Sequence, residues 1–192
     1  SMLLPALSKA RDRGYQVKCA SNLSQLGKGM AMYIGDNNDI LPYFNINNTQ
    51  EGGWQLAVFQ YVKNYSLYKC DKDFVKRNAG SYKPCSYAFN TKSYSDPVDR
   101  PSGKMIGKIK VPSEVFALVE SPGTMSWVDA GWVSGTTKCW WTYSNSASKI
   151  VHRNGGNFLF VDGHVAFYPY AEIRMTSPSG PLKGYWTTTT GD

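Results

Sequence analysis

The apolar positions Leu4, Leu7, Ala10, Val17, Ala20, Leu23, Leu26, Met30 and Ile34 recur mostly at three- and four-residue steps, with Arg11, Arg13, Lys18 and Lys28 set between them. Residues so spaced share one face of a helix, and the pattern predicts an α-helix from Leu4 to Ile34. Pro5 is tolerated in a first turn, where its missing N–H would have no helical partner. Gly14, Gly27 and Gly29 each weaken the helix by about 1 kcal/mol relative to Ala. Run unbroken from Pro5 to Ile34 it is about 45 Å long at 1.5 Å per residue, longer than a small head needs, so its first turns are expected to project. The run Gly35-Asp36-Asn37-Asn38-Asp39 stops it, and Pro42 keeps it from resuming.

Trp54 to Val62 predicts a second, short helix with Trp54, Val58 and Tyr61 on one side. Beyond it the pattern turns to brief β-like runs at Tyr82–Asn90, Lys108–Val111, Val115–Glu120 and Cys139–Tyr143, kept short by Pro84, Pro97, Pro101, Pro112 and Pro122. The clearest β signal is Lys149 to Tyr168. Asn154-Gly155 and Asp162-Gly163 accept the positive φ angles of two-residue hairpins, which predicts a three-stranded meander pairing His152 near Asn157, Phe158 with Phe167 and Val161 with His164. The expected architecture is α+β: a long N-terminal helix, residues 1–35, packed on the antiparallel β-sheet of a head, residues 36–192.

Composition is consistent with one folded, turn-rich domain. Of 192 residues 42% are hydrophobic and 18% charged, with 18 Gly and 10 Pro, which argues against disorder. The net charge of +7 is concentrated in the helix, where Lys9, Arg11, Arg13, Lys18 and Lys28 face Asp12 alone. Without a zinc-finger spacing, RNP-like motif or phosphate-binding loop, that charge does not point to nucleic acid. No apolar run reaches the roughly 20 residues of a membrane span. The four cysteines, Cys19, Cys70, Cys85 and Cys139, are too widely spread for a zinc knuckle or a Cys-x-x-Cys motif; two disulfides are possible, with three connectivities open.

The candidate chemistry is sparse. His152 with Asp162, joined by His164 or Glu120, could form a metal site or a catalytic dyad. A tight Asn154-Gly155 hairpin opposes this, because it leaves Asp162 five residues beyond the partner of His152, about 17 Å away at 3.3 Å per residue. Asp162 and Gly163 are then turn formers and His152 a hydrogen-bonded strand end. The Gly35–Asp39 cluster could bind calcium but lacks the ligand alternation and distal Glu of an EF-hand loop, and reads more simply as a capped turn. Trp127, Trp132, Trp140, Trp141 and Tyr143 could form an aromatic platform for glycan or another ligand, although aromatics in a β-rich head are more often core. No nucleophile elbow or His-Glu-x-x-His motif is present, and no enzymatic activity or cofactor is expected.

Three segments carry a family resemblance. Leu3-Leu4-Pro5-Ala6-Leu7-Ser8-Lys9-Ala10-Arg11 resembles the end of the apolar N-terminal helix of type IV prepilin-like proteins. Cys19-Ala20-Ser21-Asn22-Leu23-Ser24-Gln25-Leu26-Gly27, followed by Met32-Tyr33 and Asp36-Asn37-Asn38, resembles its continuation into the head. His152, nine residues, then Asp162-Gly163 is similar to the His-x9-Asp-Gly signature of prepilin-type, processing-associated domains. Trp54, Tyr68-Lys69-Cys70 and Ser86-Tyr87-Ala88-Phe89-Asn90 extend the likeness loosely through the middle. The resemblance implies a pilin-like fold and a precursor anchored in the inner membrane of a bacterium, cleaved and N-methylated by a prepilin peptidase. Its head would lie in the cell envelope, assembling with other pilin-like subunits into a pilus-like or type II secretion pseudopilin fibre. The cleavage site, the early Glu and the span itself are not in this sequence. Export implies an oxidising compartment, and with it disulfides, Cys19 with Cys70 and Cys85 with Cys139 being the pairing put forward. The alternative function is an envelope binding module that uses exposed aromatics.

Overall fold

The computed structural model describes residues 3–43, 53–73, 85–90, 101–120, 152 and 155–169. Within them the fold is α+β: an N-terminal helix α1 (Leu3–Asp36), a second helix α2 (Gly53–Val62), and strands β1 (Tyr87–Phe89), β2 (Phe116–Glu120), β3 (Gly155–Phe160) and β4 (Val165–Pro169). The strands form one antiparallel sheet in the order β1-β2-β3-β4. Among the described residues no helix is long and apolar enough to cross a membrane.

The stripe read from the sequence is buried from Leu23 onward, with Val17 left exposed and Cys19 buried beside it. Cys19, Leu23, Leu26, Met30 and Ile34 are buried, whereas every residue from Leu4 to Arg11 is exposed. The buried stripe meets Leu118, Leu159 and Val161 of the sheet side together with Trp54 and Val58 of α2. Two glycines that weaken the helix locally are what let it come this close. A Cβ on Gly27 would lie 2.8 Å from a terminal methyl of Leu159, and one on Gly29 would lie 2.5 Å from a Val62 methyl and 3.0 Å from a Val58 methyl.

The helix stops as expected. Asn37 and Asp39 return their N–H groups to the Ile34 carbonyl, Asn37 Nδ2 donates to the Tyr33 carbonyl, and Asn38 and Asp39 take left-handed backbone angles. The Asp36 carboxylate accepts from the Tyr61 hydroxyl at 2.9 Å, tying the end of α1 to α2. Asn37 thus ends the helix with side chain and backbone alike, and Asn38 and Asp39 do so through the backbone.

Three sequence expectations need correction. Lys108–Val111 is not a strand: its first residue ends a 3-10 turn, Ile106–Lys108, and the pairing in this region is instead Ile40 with Met105. His152 pairs with Gly155, not near Asn157, and accepts its N–H at 2.8 Å. The β3–β4 hairpin is shifted by one residue, with Phe158 opposite Ala166 and Asn157 opposite Phe167. The cause is a three-residue loop, Val161-Asp162-Gly163, in which Gly163 has φ +93° and Phe160 N–H donates to the His164 carbonyl. A left-handed glycine closing a three-residue loop is the next most common hairpin after the two-residue type. Because side chains alternate along a strand, the shift changes neighbours: Tyr168 now sits beside Phe158 and Phe160, while Val165 packs on the helix-side core. The expected strands at Cys139–Tyr143 and Lys149–Val151, and the aromatic set Trp127, Trp132, Trp140, Trp141 and Tyr143, lie outside the described residues.

The glycines give a contrasting pair of outcomes. Gly14 lies in the exposed part of α1 with nothing within 4 Å of an added Cβ, so Gly14→Ala is expected to stabilise by up to about 1 kcal/mol through helix propensity. Gly29→Ala gains the same propensity but must push two valines aside, and overpacking costs about 1–3 kcal/mol; it is expected to be neutral to destabilising. Urea unfolding of the two variants beside the parent measures the difference.

Candidate functional site

Glu120 ends β2 two residues beyond Leu118, which places its side chain on the sheet face that α1 covers. Asn157 lies two residues before Leu159 on β3 and so reaches the same face. Both are buried, Glu120 at 0% and Asn157 at 2% relative exposure. A buried carboxylate needs donors, and three converge. Asn157 N–H donates to Glu120 Oε2 at 2.8 Å, Asn157 Nδ2 to Oε1 at 2.9 Å, and His152 Nε2 to Oε1 at 3.1 Å. Asn157 Nδ2 also reaches the Gln16 carbonyl of α1 at 3.1 Å, joining sheet and helix through one amide.

His152, 2% exposed, has a second neighbour in Cys70, whose Sγ lies 3.4 Å from Nε2. Cys70 is bonded to Cys19 of α1, with the two Cα atoms 5.4 Å apart. The geometry with Glu120 assigns the ring proton to Nε2. Nδ1 is then the buried side-chain polar atom without a hydrogen-bond partner among the described residues.

The segment after the 3-10 turn Tyr65–Tyr68 lies along α1 as a strap. Asn22 Nδ2 donates to the Lys69 carbonyl, Cys70 is bonded to Cys19, Lys18 pairs with Asp71, and Lys72 pairs with Asp12 while its ammonium lies 5.8 Å from the centre of the Tyr15 ring. The ion pair with Asp71 raises the Lys18 pKa. From below, Ser86 Oγ accepts the Cys70 N–H at 2.9 Å, and the Tyr87 hydroxyl donates to the Cys19 carbonyl at 3.4 Å. Burial first, and then the charge of Glu120, push the Tyr87 phenol well above its ordinary value of 10; burial raises Tyr68 as well.

The residues singled out from sequence therefore separate into two places. His152 and Glu120 meet, and Cys19 and Cys70 join them. Asp162 and His164 form a separate, exposed turn in which Asp162 Oδ1 accepts the His164 N–H at 3.0 Å and lies 2.6 Å from its Nδ1, with the His164 ring stacked on Phe160. Gly163 supplies the left-handed residue between them. Cys85 is buried, its Sγ donating to the Tyr87 carbonyl at 3.2 Å; its expected partner, Cys139, lies outside the described residues. Gln16 and Asn157 were not anticipated, although each interrupts an apolar stripe at an inward position.

Chemically, the cluster is a closed polar layer at the level where α1 leaves the sheet. General acid–base work needs a substrate atom within hydrogen-bond reach. Glu120 and Asn157 are held there by protein partners, while His152 Nδ1 is the position left open among the described residues. Comparison of the chain with protein-family models, with curated proteins and with solved structures returned no match.

Two outcomes follow from burial. His152→Ala leaves Glu120 with one donor fewer in an apolar interior, and losing a hydrogen bond to a buried charged group costs about 1.5–3 kcal/mol. Replacing both residues by Leu is expected to cost less than the sum of the single changes, as chemical denaturation of the three variants would register. The raised phenols set the alkaline limit. With folded pKa values above the unfolded value near 10, Tyr68 and Tyr87 leave stability unchanged below about pH 10; above it the unfolded state loses protons first and stability falls. Absorbance titration should show these two tyrosines ionising only as the helical circular-dichroism signal is lost.

Proposed function

We propose that this chain is the stem and head of a pilin-like subunit that works by assembly in the bacterial cell envelope. The observation that carries the reading is the unequal burial of α1. The helix runs from Leu3 to Asp36 yet is covered by the head only in its later turns, leaving Leu4 at 75% and Leu7 at 68% relative exposure. A polar, solvated helix end would need no partner. An exposed leucine pair beside Lys9, Arg11 and Arg13 suits a helix that continues an apolar anchor on one side and meets other helices on the other. The Cys19–Cys70 bond supports an oxidising, extracytoplasmic location. The His152-x9-Asp162-Gly163 spacing supports a head of the processing-associated type, His152 serving its buried layer and Asp162-Gly163 its β3–β4 turn. On this reading a prepilin peptidase acts on the precursor and the membrane is reached through an apolar segment ahead of Leu3.

Expression from the natural gene with Leu7→Cys tests this. The protein is expected in the envelope fraction, and a thiol crosslinker should join Cys-substituted subunits to one another or to other pilin-like proteins. A protein recovered entirely outside the envelope, with no crosslinked species at this position, would overturn the proposal.

A further inference from the structure

We infer that the four side chains at the head–stem junction form a binding site for one zinc-type divalent ion whenever the Cys19–Cys70 bond is open, so that disulfide and metal are alternative occupants of one place. This goes beyond the assembly role and does not depend on it. One ligand atom each from Cys19, Cys70, Glu120 and His152 lies within 4.8 Å of the other three, and all four residues are buried. Bonds of about 2.0–2.3 Å from zinc to oxygen, nitrogen and sulfur place tetrahedral donors roughly 3.3–3.8 Å apart. His152 Nε2 is already 3.1 Å from Glu120 Oε1 and 3.4 Å from Cys70 Sγ. The main movement required is separation of the two sulfurs, which opening the disulfide permits.

The donor chemistry selects the ion. Two thiolates and an imidazole favour zinc, and cobalt as its spectroscopic substitute, over calcium or magnesium, which take all-oxygen shells. One supporting contact expected around a metal ligand is in place: Asn157 holds both Glu120 oxygens by its N–H and Nδ2, fixing the carboxylate's orientation, while His152 Nδ1 has no partner among the described residues. Ligation through Nε2, the nitrogen facing Cys70, places the ring proton on Nδ1. The ion would crosslink the two elements that the disulfide joins, α1 through Cys19 and the strap through Cys70, and would add β2 through Glu120 and the residue paired to β3 through His152.

The exchange balances. A newly made chain already carries both thiols, and binding displaces their two protons: two Cys–SH and M²⁺ give M(S–Cys)₂ and two H⁺. An oxidised chain needs a dithiol reductant, which gives two electrons and two protons to the Cys19–Cys70 bond and itself becomes a disulfide. Oxidation by a disulfide carrier reverses this and releases the ion.

The test is a Co²⁺ titration of the whole chain, reduced under anaerobic conditions and oxidised. The reduced chain is expected to take up one Co²⁺ with tetrahedral ligand-field bands and thiolate-to-cobalt charge transfer, to yield it to Zn²⁺, and to lose it on reoxidation; the oxidised chain should show none of these bands. His152→Asn and Glu120→Gln should each weaken binding at least tenfold and shift the ligand-field bands, whereas Cys85→Ser and Cys139→Ser leave both unchanged. Because those single variants could fail through folding, the decisive comparison is the unaltered chain in its two redox states. A reduced chain that takes up no stoichiometric Co²⁺, folded or not, overturns the proposal, as does equal uptake by the oxidised chain, uptake that persists in denaturant, or full affinity in Cys70→Ser.

Discussion

A carboxylate at zero exposure is the constraint around which the junction is arranged. Glu120 cannot be left in an apolar interior without donors, and its donors come from a segment 32 and 37 positions further along the chain: His152 and, on β3, Asn157. Satisfying one group therefore fixes where the residue before β3 must sit, how β2 and β3 meet at their ends, and, through the Gln16 carbonyl, how α1 crosses them. The bond between Cys19 and Cys70 lies against this layer, so covalent and polar restraints reinforce one another at the level where the helix leaves the head.

Below that level the seam is apolar and close. Leu23, Leu26 and Met30 cover the sheet, and Gly27 and Gly29 remove the two side chains that would hold the helix off Leu159 and α2. The cost in helix propensity is about 1 kcal/mol per glycine; burial of whole leucine side chains, worth roughly 1.5–3 kcal/mol each, outweighs it. Above the junction, no comparable surface covers α1. There the strap takes over, holding the helix as far as Asp12 through two ion pairs that continue outward from the disulfide. With a separation of 51 residues between Cys19 and Cys70, the bond stabilises by about 4 kcal/mol on a chain-entropy account.

Much of this was legible in the sequence, and the remainder was hidden for definable reasons. The stripe Leu23, Leu26, Met30, Ile34 is a helical period that packing respects, so α1 and its end were read within two residues. Val115 to Glu120 read as a strand because a continuous apolar run bounded by turn residues has few other uses, and the hairpin that follows was read from Asp162-Gly163. The hairpin register was missed because Asp-Gly serves both two- and three-residue loops, and the backbone bond from Phe160 N–H to the His164 carbonyl is what marks the longer one. The cluster was half visible. Asn157, in line with Leu159 and Val161, and Gln16, three residues ahead of Cys19, are polar residues in inward stripes, a signal that a buried network requires. That His152 meets Cys70 rather than Asp162 depends on tertiary folding across 82 positions, which no local pattern encodes.

A mechanical property follows from the placement of the disulfide. Tension applied to the start of α1 and transmitted toward the later strands reaches Cys19 and crosses directly to Cys70 through a covalent bond. The residues between them, which include the buried half of the helix and all of α2, lie off the load path. At an extended length of about 3.4 Å per residue, the 51-residue separation keeps roughly 170 Å of chain from being drawn out. Force must instead be borne where the strap and the strands meet, at the hydrogen bond from the Cys70 N–H to Ser86 Oγ, so the oxidised protein would behave as a stiff tether with little slack, and the reduced, metal-free one as an extensible cord.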